Sequence, residues 1–120
     1  MNCPFCTPQE ILFSNKFAYA RFDKYPVSEG HVIIIPYRHI PLYFDLPKEE
    51  KVAILDLSDI VKNYLDQNFN PIGYNIGLNV GKPAGQTIMH VHCHIIPRYE
   101  NDVPDPRGGI RGVIPDKKLY

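Results

Sequence analysis

Thr87 to Tyr99 reads TIMHVHCHIIPRY, with histidine at 90, 92 and 94 alternating strictly with Val91, Cys93 and Ile95. The whole chain of 120 residues has five histidines, so three on every second position of one segment calls for an explanation. Strict alternation marks a strand, because successive side chains there point to opposite faces. The spacing predicts that Val91, Cys93 and Ile95 face a core while His90, His92 and His94 share the other face. For a single histidine a solvated surface is explanation enough; three in register ask for chemistry.

Working outward, GKPAGQ (81–86) is a Gly/Pro turn and YNIGLNV (74–80) alternates as a second strand. NPIGY (70–74) ends a helix. Ile54, Leu57, Val61, Tyr64 and Leu65 recur at helical spacing, which predicts one helix from Asp45 to Phe69 with its apolar face on a sheet. Asp45 is the expected cap, with Pro47, Glu49 and Glu50 in the first turn, where the positive helix end favours acids. HVIIIP (31–36) is a β-branched run bounded by Gly30 and Pro36, read as a buried central strand opened by His31. EILFSN (10–15) and FAYARFD (17–23) read as a hairpin turning at Ser14, Asn15 and Lys16, followed by the loop KYPVSEG (24–30). From Arg98 onward the chain is rich in Pro and Gly and is expected to wrap the surface as an irregular tail, 98–120.

Hairpin-linked strands with one long helix make an α+β pattern: a single domain over 1–120, with an antiparallel sheet of about five strands. Thirteen Lys+Arg balance thirteen Asp+Glu, which argues against broad electrostatic binding to a nucleic-acid duplex or an anionic membrane. A small phosphorylated ligand held by local groups stays open. No apolar run approaches the roughly 18 residues of a membrane span, and Met1 is followed by NCPFCTPQE and not by a basic, then apolar leader; a cytoplasmic protein is expected. Three cysteines are an odd count, and CPFC at Cys3 to Cys6 suggests metal or redox chemistry in a reducing compartment, two ordinary thiols being the plainer alternative.

A metal is the first candidate for the histidine row. At roughly 3.3 Å per residue, His90 and His94 would lie about 13 Å apart, too far for both to reach one zinc at about 2.1 Å. The row must divide, one end histidine being free for a site elsewhere. Phosphate chemistry suits the others, since imidazole is both a nucleophile toward phosphorus and a donor to phosphate oxygens. The preceding turn adds backbone N–H groups, and Gln86 and Thr87 add side-chain donors.

At this point the residues meet a family. HVHCHII (90–96) resembles the histidine-triad (HIT) signature, His-x-His-x-His followed by two apolar residues, with GQT (85–87) at the family's offset before it. GHVIIIPYRH (30–39) resembles its Gly-His-strand-Pro-x-x-His segment, and FDKYPVSEGH (22–31) its loop with a ribose-binding acid. The resemblance runs from about Cys3 to Pro97 and implies the HIT-like fold.

It also implies roles. His92 would be the nucleophile at the α-phosphorus, forming a nucleotidyl-histidine that water releases, with its other ring nitrogen donating to a backbone carbonyl. His94 and His31 would hold phosphate oxygens, Gln86 and Thr87 would donate to them, Asn79 would sit near the phosphate, and Asp23 would accept from the ribose hydroxyls. For His31 and Asn79 a structural hydrogen-bonding role is the plainer alternative. Some histidine-triad proteins hold structural Zn2+ with an N-terminal CxxC, the His of Pro-x-x-His and the first triad His; the matching set here is Cys3, Cys6, His39 and His90, one ion per chain. Cys93 alternates onto the core side and is expected to be a small buried residue.

The resemblance further implies a homodimer formed by strand and helix pairing. HIIPR and PRGGIRGVIP look most like the prokaryotic dinucleoside polyphosphate hydrolases, with Mg2+ accompanying the substrate and with Arg98, Arg107 and Arg111 as candidates to screen a longer leaving group, solvated loop charges being the plainer alternative. The alternatives are an adenosine phosphoramidate hydrolase of the Hint type and a low-turnover nucleotide-binding or scaffold protein.

Overall fold

A computed structural model describes residues 3–120; Met1 and Asn2, the start of the expected N-terminal segment 1–8, lie outside the described residues. Five strands and one helix follow in the order β1 (Phe13–Ser14), β2 (Ala18–Phe22), β3 (Val32–Pro36), α1 (Lys48–Phe69), β4 (Gly73–Gly77) and β5 (Cys93–Arg98). The strands form one sheet in the order β1-β2-β3-β5-β4, every pair antiparallel. The α+β architecture with a single antiparallel sheet of five strands is as expected. No helix among the described residues is long and apolar enough to cross a membrane.

The core lies between α1 and one sheet face. Ala18 and Ala20 of β2, Val32 and Ile34 of β3, and Cys93 and Ile95 of β5 meet Ala53, Ile54, Leu57, Val61 and Leu65. Burying each large aliphatic there contributes roughly 1.5–3 kcal/mol, and the alanines of β2 let the helix approach. On the opposite face Tyr19, Ile33 and Ile35 are covered by Phe5, so the N-terminal segment is a second, thin layer. The Tyr19 hydroxyl fastens it by donating to the Phe5 carbonyl at 2.7 Å.

Four boundaries differ from the sequence expectation. Asp45 does not cap the helix: it ends a 3-10 turn at Tyr43–Asp45, and α1 begins at Lys48 behind Pro47 with no side-chain cap. Leu46 precedes a proline, which disfavours helical backbone there; its extended conformation carries its buried side chain into the core. β1 is only two residues long, and the hairpin turns on Asn15, whose Oδ1 accepts from the N–H groups of Phe17 and Ala18. β4 stops at Gly77, because its last partner on β5 is His94 and Leu78 to Val80 have no strand to pair with.

The fourth difference concerns the histidines themselves. β5 starts at Cys93, so only His94 lies within the strand. The β3–β5 ladder runs Val32↔Ile95, Ile33↔His94, Ile34↔Cys93 and then ends. Pro36 has no N–H to extend it, and its carbonyl accepts instead from His90 Nε2 at 2.7 Å. The in-out alternation of burial nevertheless continues from Val91 through Ile95.

Candidate functional site

The first histidine of the row belongs to a separate cluster. His90 is fully buried. Because Pro36 O can only accept, the His90 proton is assigned to Nε2, and Nδ1 presents a lone pair. Cys3 Sγ lies 3.4 Å from that nitrogen and Cys6 Sγ 3.6 Å, while His39 Nδ1 is 3.2 Å from both His90 Nδ1 and Cys6 Sγ. All four ligand-type atoms lie within 4.8 Å of one another.

A tetrahedral zinc with bonds of about 2.3 Å to sulfur and 2.05 Å to nitrogen has N–N edges of about 3.3 Å and S–N edges of about 3.6 Å. The donor set fits that group. One lone pair cannot serve three neighbours as a hydrogen-bond acceptor, whereas a cation satisfies all four atoms together. The Nε2–H bond to Pro36 is the outer support that metal-bound imidazoles usually have. Arg38 ties the His39 loop to the first turn of α1: its guanidinium bonds the buried Glu50 carboxylate, with Nε donating at 2.9 Å. Cys93 stays in the core, where burial pushes its thiol up to about 11.

His92 is held differently. Its Nδ1 donates to the backbone oxygen of His90 at 2.9 Å, which assigns the lone pair to Nε2. The ring is half-buried, edge-on to Phe5 with centroids 5.0 Å apart. His94 follows with its ring centroid 5.1 Å from that of His92.

His31 and His94 form the third unit. The Val27 N–H donates to His31 Nδ1 at 3.1 Å, so the His31 proton is on Nε2 and points at His94 Nδ1, 2.9 Å away. His94 therefore carries its own proton on Nε2. The chain Val27 → His31 → His94 leaves one outward N–H for an anion. Asp23 Oδ2 stands 3.5 Å from His31 Nε2 and 3.9 Å from His94 Nδ1. Burial, with the neighbouring His92 and His31 adding to it, lowers His94 to about 4 against the pull of Asp23. Burial also lowers His31, again opposed by Asp23. Both rings are neutral at pH 7. Asp23, His31 and His94 lie as close together as metal ligands do, but the Val27 N–H already takes the His31 lone pair and the facing nitrogen bears a proton. Hydrogen bonding thus separates a metal-type cluster from an anion-type one.

The remaining expected residues are placed unevenly. Gln86 is buried and its amide is committed within the protein: Oε1 accepts from Gly81 N at 2.8 Å, and Nε2 donates to Pro41 O and Ile88 O at 2.7 and 3.1 Å. It braces the turn that sequence reading took for a donor loop. Thr87 is exposed beside it. Asn79 borders a cavity of about 290 Å3 together with His31, His94, Asn75, Ile96 and the tail residues Ile110 and Val113. The three arginines each have partners within the protein. Arg98 clamps Asp102 and reaches Asn75, Arg107 pairs with Asp105, and Arg111 donates to the carbonyls of Lys117 and Lys118.

Sequence reading missed a second cavity, of about 330 Å3, on the other side of Asp23, lined by Phe5, Ile33 and Ile88 together with Arg21, Lys24 and Tyr25. Phe5 was visible only as a spacer in CPFC, and Ile33 only as one of a run of isoleucines. A further hollow, of about 540 Å3 between β4 and the tail, has no histidine in its wall.

Comparison with known proteins points to one family. The HIT domain model matches residues 6–101. A bis(5'-adenosyl)-triphosphatase of Dictyostelium discoideum is 38% identical over 93 residues, covering 78% of this chain but 62% of that protein, so the chain spans less than two thirds of that relative's length. The crystal structure of a HIT family protein from Bacillus anthracis is similar with a TM-score of 0.78 and 33% identity, covering 84% of this chain and 76% of that one. A Zn-bound histidine triad family protein from Mycobacterium smegmatis gives a TM-score of 0.76 at 27% identity, covering 86% and 84%. On the extent of the family match and the placement of its three histidines, the chain belongs to the HIT family.

Proposed function

We propose that this protein is a nucleotide hydrolase that cleaves at the α-phosphate through a nucleotidyl group carried on His92, with dinucleoside polyphosphates such as diadenosine tetraphosphate as its substrate class. The observation that carries the reading is the pairing of a His92 Nε2 lone pair with an outward N–H on His94, each fixed by a hydrogen bond on its far nitrogen.

In the first step the His92 lone pair attacks the α-phosphorus. An N–P bond forms, the bond to the bridging oxygen breaks, and the leaving phosphate departs as an anion facing the His94 N–H. The adduct imidazolium is cationic, and its Nδ1–H to the His90 carbonyl strengthens as that charge develops. Water then attacks phosphorus and gives its proton to solvent. The P–N bond breaks, its electron pair returns to His92, and the nucleoside monophosphate leaves.

Asp23 lies at the edge of the 330 Å3 cavity, where it can accept from ribose hydroxyls, and the 290 Å3 cavity opens on the other side of His31 and His94. Two clefts flanking one phosphate site suit a substrate with a nucleoside at each end, which favours the polyphosphate class over a phosphoramidate with a small leaving group. Thr87, exposed beside the turn, and Asn79, at the rim of the 290 Å3 cavity, would donate to phosphate oxygens, and Gln86 would contribute by holding the turn. Mg2+ would arrive with the polyphosphate.

Cys3, Cys6, His39 and His90 would hold one zinc ion, which when bound supplies a closed, structural anchor without an open coordination position. The chain would sit in the cytoplasm, where thiol ligands stay reduced. Homodimerisation through β4 is part of the same reading: β4 is an outer strand with Ile72 and Ile76 exposed near it, and unpaired edges invite strand addition. A molar mass of twice the chain in light scattering is expected, and a monomer at micromolar concentration would refute it.

Turnover of diadenosine tetraphosphate compared with adenosine phosphoramidate tests the substrate class. A preference of orders of magnitude for the phosphoramidate would move the protein to the Hint-type branch, and saturable binding without turnover of either would make it a nucleotide-binding protein.

A further inference from the structure

Arg21, Ile33 and His94 lie in one row across the sheet, Arg21 opposite Ile33 on β2 and β3, and Ile33 opposite His94 on β3 and β5. Neighbouring strands are about 4.8 Å apart, so Arg21 stands roughly 10 Å along that row from His94. This is about the reach of a nucleotide from its α-phosphate to the far edge of its base. A nucleotide with phosphate at His94 and ribose at Asp23 lays its base over Ile33, against Phe5 and Ile88, and ends at Arg21.

Arg21 is an unusual residue for such a wall. It is 4% exposed, while its acid partner Glu10 is 81% exposed and contacts only Nη2, at 3.2 Å. Nε donates to Phe22 O at 3.3 Å, and among the described residues Nη1 has no hydrogen-bond partner. Nη1 reaches solvent in the wall of the cavity, so the guanidinium has a donor to spare for a ligand's acceptors.

We propose that Arg21 sets the base preference of the site, donating to O6 and N7 of guanine, so that guanine nucleotides are preferred to adenine nucleotides. The guanidinium has donors only. Guanine offers two acceptors on one edge, whereas adenine sets an amino donor beside its N7 and leaves one arginine N–H facing another donor. This rests on the nucleotide-site reading above and names the base it favours.

Calorimetric titration of the full chain with nucleoside monophosphates, the expected products, tests it without turnover. GMP should bind roughly ten- to a hundredfold tighter than AMP, the range one bidentate contact supplies. Inosine monophosphate, which keeps O6 and N7, should follow GMP, and 7-deaza-GMP should lose about tenfold. Arg21→Met should bring the GMP to AMP ratio close to one while AMP affinity persists, and Glu10→Gln should keep the preference. If Arg21→Met fails to fold by circular dichroism, Arg21→Gln should bring the ratio to one or below, since its amide offers adenine N6 and N7 an acceptor and a donor. Equal binding of GMP and AMP, inosine monophosphate behaving like AMP, or an unchanged ratio in the Arg21 variant overturns this proposal alone. Binding of neither monophosphate overturns the nucleotide-site reading and this proposal with it.

Discussion

His92 Nδ1 rests on the backbone oxygen of His90, 2.9 Å away, and the His90 side chain points the other way, into the cluster with Cys3, Cys6 and His39. One residue thus belongs to two sites, its imidazole to a metal-type tetrahedron and its carbonyl to the proposed nucleophile. Phe5, between the two cysteines, adds a second link through its contact with the His92 ring. Disturbing the N-terminal cluster should therefore reach His92.

Cys3→Ser or Cys6→Ser should abolish the binding of one zinc per chain and cost several kcal/mol, a fall of roughly 10–20 °C in melting temperature. Turnover should fall with it. Atomic absorption and differential scanning calorimetry measure both, and metal-free protein with unchanged melting in the variants would contradict the assignment.

His94 makes stability depend on pH. Its folded value of about 4 lies below the ordinary 6.5, so between these values the unfolded chain binds a proton that the folded chain does not, and stability falls as pH drops through that window. The His94 contribution is of order 3 kcal/mol at most, and His31 acts in the same direction. Urea unfolding at pH 7.5 and 5 should show the loss, and His94→Asn should lessen it. An equal slope in the variant would contradict the buried, neutral His94.

Gly30→Ala should destabilise by about 1–3 kcal/mol. Gly30 has φ +86°, and an added Cβ would stand 3.2 Å from the Phe69 ring and 3.3 Å from Leu65. Because Gly30 immediately precedes His31, turnover should fall more than the lost folded fraction explains. Chemical denaturation together with kcat measured well below the melting temperature separates the two effects.

The alternation around His92 was enough to assign Val91, Cys93 and Ile95 to the core, and the 3.6-residue period picked out Ile54, Leu57, Val61 and Leu65. Local pattern carries that information because a strand or helix repeats its own geometry. What it could not carry was pairing: the strand begins only at Cys93 because Pro36, some sixty residues earlier in the chain, ends the ladder and gives its carbonyl to His90. Gln86 and Arg98 looked available because a sequence does not show which polar groups are consumed internally. The row from Arg21 to His94 exists only once the register across three strands is known.

The most direct test of the central claim is the mass of the intact protein, quenched with acid-free denaturant within one turnover of a dinucleoside polyphosphate. A nucleoside monophosphate should be covalently attached to wild-type protein, mapped to His92 by peptide sequencing. It should be absent from His92→Asn, which should keep nucleotide affinity within a few fold and lose turnover by at least about 1000-fold. An adduct on another residue, or sustained turnover by His92→Asn, would contradict the account.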